Sequence, residues 1–447
     1  MISASVLPLG EKVRHIRNAK GISLDNMAYA IKSNKTFLYR LEHGQVECNN
    51  ETLAAIKKFL EIENAPLLEH EVALYTSRLW ACYRMLGNTM LLSEAKTMLG
   101  ELSPILDLPF ENDLYLLYLL IEVSTTLAEA NFPAAAEKIS KIEPLMDGAS
   151  VEAFYMFHRS KGSLSMISGD YKGALKHYLQ ITDIVSDHVK PDTVLFSNIG
   201  MAYIGIGKPY NAIINLECAR HKYGSANKSN ANVDITLALA YTIVGEYYNA
   251  KKIFDTSLIN ARTANDSTMI CINLSYMSFL SFNKGNYEEC ISLCDQVLAY
   301  CQEDSTQPGV VAIGQKNTIQ CTAILNKCKG FFKMKEYAKC QEMIANGRLL
   351  ANGDKKFTIG FNALECLVNI DDASSVKYLE EVAIPHYKAG DGLDKVMALE
   401  LCKEMEVHYK KKRAKTKASA FTAIARAIYE DMFLGEIDID FNSNLIP

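Results

Sequence analysis

Four things are missing from this sequence of 447 residues. No run of about 18 consecutive apolar residues occurs, so no membrane-spanning helix is expected, and no membrane partner. The N-terminal MISASVLPLGEKVRHIR lacks the basic-then-apolar order of a secretory leader, which predicts a cytoplasmic protein. No CxxC pair occurs among the 12 cysteines, and thiols diluted through so long a chain read as reduced core residues. Finally, there is no GxSxG, P-loop, HExxH or dinucleotide fingerprint, so neither an enzyme nor a cofactor is expected.

What is present describes a folded chain: 49% of residues are hydrophobic and 22% charged, outside the range of disorder. The length exceeds what one core usually organises, so two or more domains or a repeat array are required. Net charge is −5, but unevenly spread. Residues 1–60 hold nine Lys/Arg against five Asp/Glu. Subtracting these from totals of 47 and 52 leaves 38 basic and 47 acidic residues in the rest. A small basic head on a large acidic body suits a polyanion-binding module joined to something that does not touch the polyanion.

The head reads as four or five short helices with sharp breaks. Val13 and Ile16 mark the first apolar face and Gly21 stops it. Ser23 caps a second helix with Leu24, Met27 and Ala28 inward. The chain turns at Lys32-Ser33, and Asn34 caps a third helix whose Phe37, Leu38 and Leu41 face the core before Gly44 ends it. Two short helices joined so tightly predict a helix-turn-helix. The stretches LGEKVRHIRNAKGIS, RLEHG and ETLAAIKKFLEI, with small Ala28 where the helices cross, closely resemble the head of phage-repressor-like (XRE/Cro type) regulators. That resemblance implies a DNA-reading helix with Lys35, Thr36 and Arg40 toward the bases and Asn34 and Tyr39 nearer the phosphates. It makes Arg17 and Glu42 an internal salt bridge. Two positions depart from the pattern: Leu24 replaces a phosphate-contacting Gln, and Lys32, which replaces a left-handed Gly, adds a candidate phosphate contact.

From about residue 69 the sequence is helical and self-similar. A break rich in Gly, Asn or Asp is followed by an aromatic, then a small residue, then a large apolar one: GDYKGALKHYL, GKPYNAIINL, GEYYNAKKIF, GNYEECISLC and KEYAKCQEMI, with weaker copies ANFPAAAEKI and LLSEAKTML. The small residues Ala95, Ala135, Ala174, Ala212, Ala250, Cys290 and Cys340 lie 40, 39, 38, 38, 40 and 50 apart. A period near 40 built of helix pairs predicts a solenoid. It resembles tetratricopeptide repeats with lengthened helices, and further pairs at roughly 357–385 and 392–432 bring the expected total to about nine. Cys290, Cys294, Cys321, Cys328 and Cys340 fall on helical faces without the loop spacing of zinc ligands, and read as core; no metal is expected.

Such repeats line a right-handed superhelix with their first helices, where Asn can satisfy both polar groups of an extended peptide backbone. Aligned on their breaks, Asn198 and Asn326 take the sixth position of the first helix, where peptide-binding repeats frequently carry Asn. Ser197, Arg159, Asn232, Phe279 and Lys329 fall beside them, and Arg159 or Lys329 could pair a peptide carboxylate.

A helix-turn-helix followed by a long tetratricopeptide body resembles the peptide-pheromone receptors of Gram-positive bacteria, the Rap/Rgg/NprR/PlcR/PrgX superfamily, most of all its NprR branch. The expected organisation is an XRE/Cro-type helix-turn-helix domain at 1–62, a linker at 63–70, an all-α peptide-binding and oligomerisation superhelix at 71–432 and a tail at 433–447. The resemblance implies a cytoplasmic quorum-sensing transcription regulator. Its partners would be double-stranded DNA with two half-sites about one helical turn apart, a short imported signalling peptide, and a second copy in a homodimer or higher oligomer. The pairs beyond 357 are the expected dimer contact. Two other roles remain open: a scaffold that sequesters a phosphorelay or other regulatory protein, and a phage lysis/lysogeny peptide receptor.

Overall fold

The computed structural model describes residues 9–46, 48–60, 69–86, 91–106, 112–186, 189, 193–223, 231–302 and 313–434. Most of the expected linker and tail lies outside them. All regular structure among the described residues is helical. The chain forms two compact units, residues 1–164 with 180–190, and residues 165–179 with 191–447.

The first unit begins with α1 (Leu9–Ala19), α2 (Leu24–Ala30), α3 (Lys35–Glu42) and α4 (Asn50–Phe59). Each of the last three starts at a side chain that accepts a free backbone N–H: Ser23 from Asn26, Asn34 from Phe37 and Asn49 from Thr52. The four helices enclose a core of Val13, Ile16, Met27, Ala28, Leu38, Leu41, Ile56 and Leu60. Then follow α5 (Glu69–Met85), α6 (Leu92–Leu106), α7 (Asn112–Ala128), α8 (Phe132–Ile142) and α9 (Val151–Ile167), whose last turn belongs to the second unit.

The second unit continues with α10 (Tyr171–Leu179), α11 (Thr193–Gly205), α12 (Pro209–Tyr223), α13 (Ala231–Ile243), α14 (Tyr247–Thr263), α15 (Ser267–Lys284), α16 (Tyr287–Gln302), α17 (Ile313–Lys333) and α18 (Tyr337–Ala351). It closes with α19 (Lys355–Val368), α20 (Ala373–Tyr378), α21 (Ile384–Ala389), α22 (Gly392–Lys411) and α23 (Lys415–Tyr429). Counting α20 and α21 as one interrupted second helix, α5 to α23 follow one another in chain order as nine first and nine second helices among the described residues. The interruption is a π-helical turn, Leu379–Ala383, leading to Pro385. Proline has no N–H to continue the ladder, and a widened turn absorbs the loss.

The repeat signature has a direct structural meaning. Seven first-to-second-helix turns contain a residue with positive φ, at Ala130, Gly169, Gly207, Gly245, Gly285, Lys335 and Arg413. At Gly245, for example, its N–H donates to the Thr242 carbonyl while that of Glu246 donates to Tyr241, so the left-handed residue satisfies the carbonyls left open at the end of α13. The small residue that follows is fully buried in every copy: Ala95, Ala135, Ala174, Ala212, Ala250, Cys290 and Cys340 all have no exposed surface. The long interval before Cys340 includes an extended α17 of 21 residues. In consequence Asn198 is the sixth residue of α11, but Asn326 lies deep in α17. The two match only when counted back from Gly207 and Lys335, nine positions in each case.

In the second unit the first helices touch one another in succession, α11 to α13, α15, α17 and α19, and so form its inner layer. The last pair does not merely end this stack. The N-terminus of α22 meets the C-terminus of α11 so closely that a Cβ on Gly392 would lie 1.8 Å from the Ile204 carbonyl oxygen.

Lys335 is exposed and left-handed with φ 63°, a conformation costing a side-chain-bearing residue roughly 1–2 kcal/mol. Lys335→Gly should therefore raise stability by about 0.5–1 kcal/mol, the gain being trimmed by glycine's greater unfolded freedom. Gly285→Lys, at φ 89° with nothing within 4 Å of an added Cβ, should lower it by about 1–2 kcal/mol. Urea midpoints of the two variants check both signs.

Candidate functional site

Two surfaces carry the residues singled out above. The first is α3. Its amino end follows Lys32, left-handed at φ 51°, the conformation for which glycine is the usual residue. Lys32, Asn34, Lys35, Thr36, Tyr39 and Arg40 are all exposed, whereas Leu38 and Leu41 are buried. One face of the helix is thus basic and polar while the other fixes it to the core. Asn34 spends its Oδ1 on the Phe37 N–H at 2.7 Å, so its cap role is structural. The Lys35 ammonium lies 2.7 Å from Asp25, but both side chains are more than half exposed, and so open a pair offers little hindrance to a phosphate or base. Leu24 is half-buried and packs on the core of the module. Tyr29, 89% exposed on α2, was not singled out by the sequence, because aromatic residues in helices ordinarily signal core.

Beneath this surface Arg17 and Glu42 form a two-pronged buried pair, Nε to Oε1 at 2.6 Å and Nη2 to Oε2 at 2.9 Å. Arg17 Nη1 also donates to the Ile22 carbonyl at 2.7 Å. The hydrogen bond to Glu42 holds the guanidinium above even its ordinary basicity. This pair joins α1, the following turn and α3, so the direction in which α3 points depends on it.

The second surface is built from the repeats, and here the expected residues do not act as one free set. Arg159, in the first unit, is half-buried, donates to the Tyr155 hydroxyl at 2.8 Å and sits over the Tyr83 and Tyr155 rings. Ser197 is buried and bonds the Thr236 hydroxyl and the Asn232 carbonyl, tying α11 to α13 as a structural staple. Asn232 itself is exposed. Asn198 is half-buried with a long 3.4 Å bond to the Tyr178 hydroxyl. Asn326 is buried and donates to Ser278 at 3.1 Å. Lys329 is buried, its ammonium 4.3 Å from the centre of the Phe282 ring and 5.9 Å from that of half-buried Phe279, and paired with Glu400 at 2.8 Å. The structure therefore gathers Asn326, Phe279 and Lys329 on α15 and α17 but satisfies two of them internally. Glu400, Glu404 and Lys333 were missed because nothing in the sequence links residues 71 positions apart.

A cleft of ≈ 750 Å³ opens where α22 begins, lined among others by Tyr171, Tyr203, Asn211, Lys356, Asp391 and Lys395. Asp391 caps α22 and accepts from the Tyr171 hydroxyl at 3.2 Å and Lys356 at 3.3 Å. Burial, and then the charge of Asp391, pushes the Tyr171 phenol up to about 12, so it stays a donor at neutral pH. Burial works against the charge of Lys356, yet Asp391 and Asp394 hold it above its ordinary value.

Among the described residues no helix is long and apolar enough to cross a membrane, and no group of three or more His, Cys, Asp or Glu is placed to hold a metal. No protein-family model matches the chain, and no curated protein does. Solved structures share its fold. A Rap protein complexed with Competence and Sporulation Factor aligns at TM-score 0.66 and 15% identity over 81% of this chain and 98% of its own. The apo form of the quorum sensor NprR from B. thuringiensis aligns at TM-score 0.60 and 18% identity, over 79% and 98%. NprR in complex with its cognate peptide NprX aligns at 0.60 and 19%, over 80% and 98%. The fold is thus the all-α, tetratricopeptide-like fold of Rap and NprR.

Removing one partner of a buried ion pair costs about 3–5 kcal/mol. Arg17→Ala should therefore unfold α1–α4 selectively. Hydrogen exchange would show their amides losing protection while those of α11–α19 keep theirs; unchanged protection would mean the pair contributes little.

Proposed function

We propose that this protein is a cytoplasmic, peptide-responsive transcription regulator of the Rap/Rgg/NprR/PlcR/PrgX kind. Residues 1–62 would form the DNA-binding head, 63–70 a linker, and 71–432 the peptide-binding and oligomerisation body. The observation that carries the reading is the two-sided character of α3. Leu38, Leu41 and the buried Glu42 anchor it, and Lys35, Thr36, Tyr39 and Arg40 are left exposed, on a module followed by the fold of a quorum sensor whose structure includes a cognate peptide.

Arg40 and Lys35 can donate to guanine O6 and N7 and Thr36 can meet a thymine methyl, while Lys32, Asn34 and Tyr39 supply the flanking phosphate contacts. One helix of this length reads too few bases to be selective, so two copies on half-sites about a turn apart are needed. The last pairs suit that contact, because Val407 on α22 and Tyr429 on α23 are large apolar residues left exposed at 41% and 51%. A peptide in the body changes DNA affinity only if it prefers one conformation or oligomer over another. Asn198 and Asn232 offer it polar groups at the surface of α11 and α13.

Gel shifts with genomic fragments test the DNA half. A specific complex that survives moderate salt is expected, and Arg40→Ala should relax preference at one base position at a cost of about 1–3 kcal/mol. If no fragment forms such a complex, the regulator reading falls and the sequestering scaffold takes its place.

A further inference from the structure

Helix α22 packs chiefly on α23 and α21, and lays a second stripe against the inner layer of the second unit. Met397, Glu400, Leu401 and Glu404, spaced i, i+3, i+4, i+7, share one stripe of the helix. They meet a wall made of Phe282 from α15, Lys329, Phe332 and Lys333 from α17, and Leu364 and Leu367 from α19. Glu400 takes Lys329, and Glu404 takes Lys333 in a very short contact. The apolar residues between fill the space so that a void of only ≈ 10 Å³ remains, scarcely room for one water. Stripes of this kind seated in a groove are how amphipathic helices are recognised between separate chains.

We propose that Lys329, Lys333 and the apolar wall around them form a binding site for an acidic amphipathic peptide, which α22 occupies as a built-in competitor through Glu400 and Glu404. This rests on the peptide-responsive reading and names the class of peptide. The reason is the burial of the Lys329 cation. Its side chain is 8% exposed and its ammonium lies over the Phe282 ring, an environment that tolerates the charge only beside an anion. The Glu400–Glu404 stripe can be displaced from the wall only if another carboxylate arrives, so a neutral or basic peptide is refused and an acidic one is exchanged for it. The two pairs repeat at i, i+4 on both helices, which asks the incoming peptide for two acids about one helical turn apart with apolar residues between. At the other end, α22 is held by Gly392 on Ile204 and by Asp391 on Tyr171 and Lys356. The ≈ 750 Å³ cleft beside this end gives a competitor access to the helix before it is released.

The test uses the full chain and a fluorescein-labelled synthetic copy of residues 392–411, with Cys402 replaced by Ser, as the probe. In fluorescence anisotropy the wild-type chain should bind it poorly, its own α22 being in place. E400Q/E404Q, which leaves the helix shape but removes its charges, should bind the probe at least about tenfold more tightly. Adding K329M/K333M should abolish the gain, and so should replacing both Glu in the probe by Gln. A Gln variant that is helical by circular dichroism and takes the probe no better than wild type overturns the proposal. Should the double variant lose its helical signal, E404Q alone, at the more exposed lysine, carries the comparison, and unchanged affinity there overturns it equally. DNA binding is read separately. A chain that shifts DNA while its Gln variants ignore the probe keeps the regulator reading and loses this site.

Discussion

The repeating body depends on how closely two helices can approach after a turn of very few residues. A left-handed residue closes seven of these turns, and a residue without bulk must follow where the second helix crosses the first. Gly207 with Ala212, Gly245 with Ala250 and Gly285 with Cys290 show the same pair of requirements met every 38 to 40 residues. In the second unit the pairs from α11 to α18 are closed in the same way, so each is presented to the next through the same kind of turn. From α11 to α19 the first helices form a continuous layer, on which Asn198, Asn326 and Lys329 take their places. Where a turn lacks glycine, as at Ala130, Lys335 and Arg413, the geometry is kept at some cost in strain, which shows that tertiary stacking and not local preference decides it.

That constraint explains what could be seen in the sequence. A local rule repeated at a fixed interval leaves a local trace, so the break, the small residue and the period were all visible, and each small residue singled out is fully buried. The capped short helices of the head were visible for the same reason: Ser23 and Asn34 act within a few residues of themselves. Arg17 and Glu42 came from a resemblance, since nothing local couples residues 25 apart.

The wall shows where such reading stops. Asn198 and Asn326 occupy the same phase, yet one is half-buried with a long bond and the other is buried against Ser278. Ser197 lies beside Asn198 in the sequence, but its hydroxyl faces Thr236 of the next pair. Phase within a repeat says which side of a helix a residue takes. It does not say which neighbour is already waiting there. Lys329 is the extreme case, because its partner Glu400 belongs to a pair that only the closure of α22 onto α11 brings near.

Internal satisfaction also shapes any response to a ligand. On the inner layer of the second unit Ser197, Asn326 and Lys329 have all made their polar contacts within the chain. A ligand that uses them exchanges bonds and does not add them, and a hydrogen bond exchanged in this way contributes at most about 0.5–1.5 kcal/mol. Affinity must then come chiefly from apolar area transferred from α22 to the newcomer and from carboxylates that replace its own. Both require the helix to move. Binding at this wall and a change of conformation are therefore one event, and differential affinity for the two arrangements is the condition under which a peptide can alter anything beyond its own site.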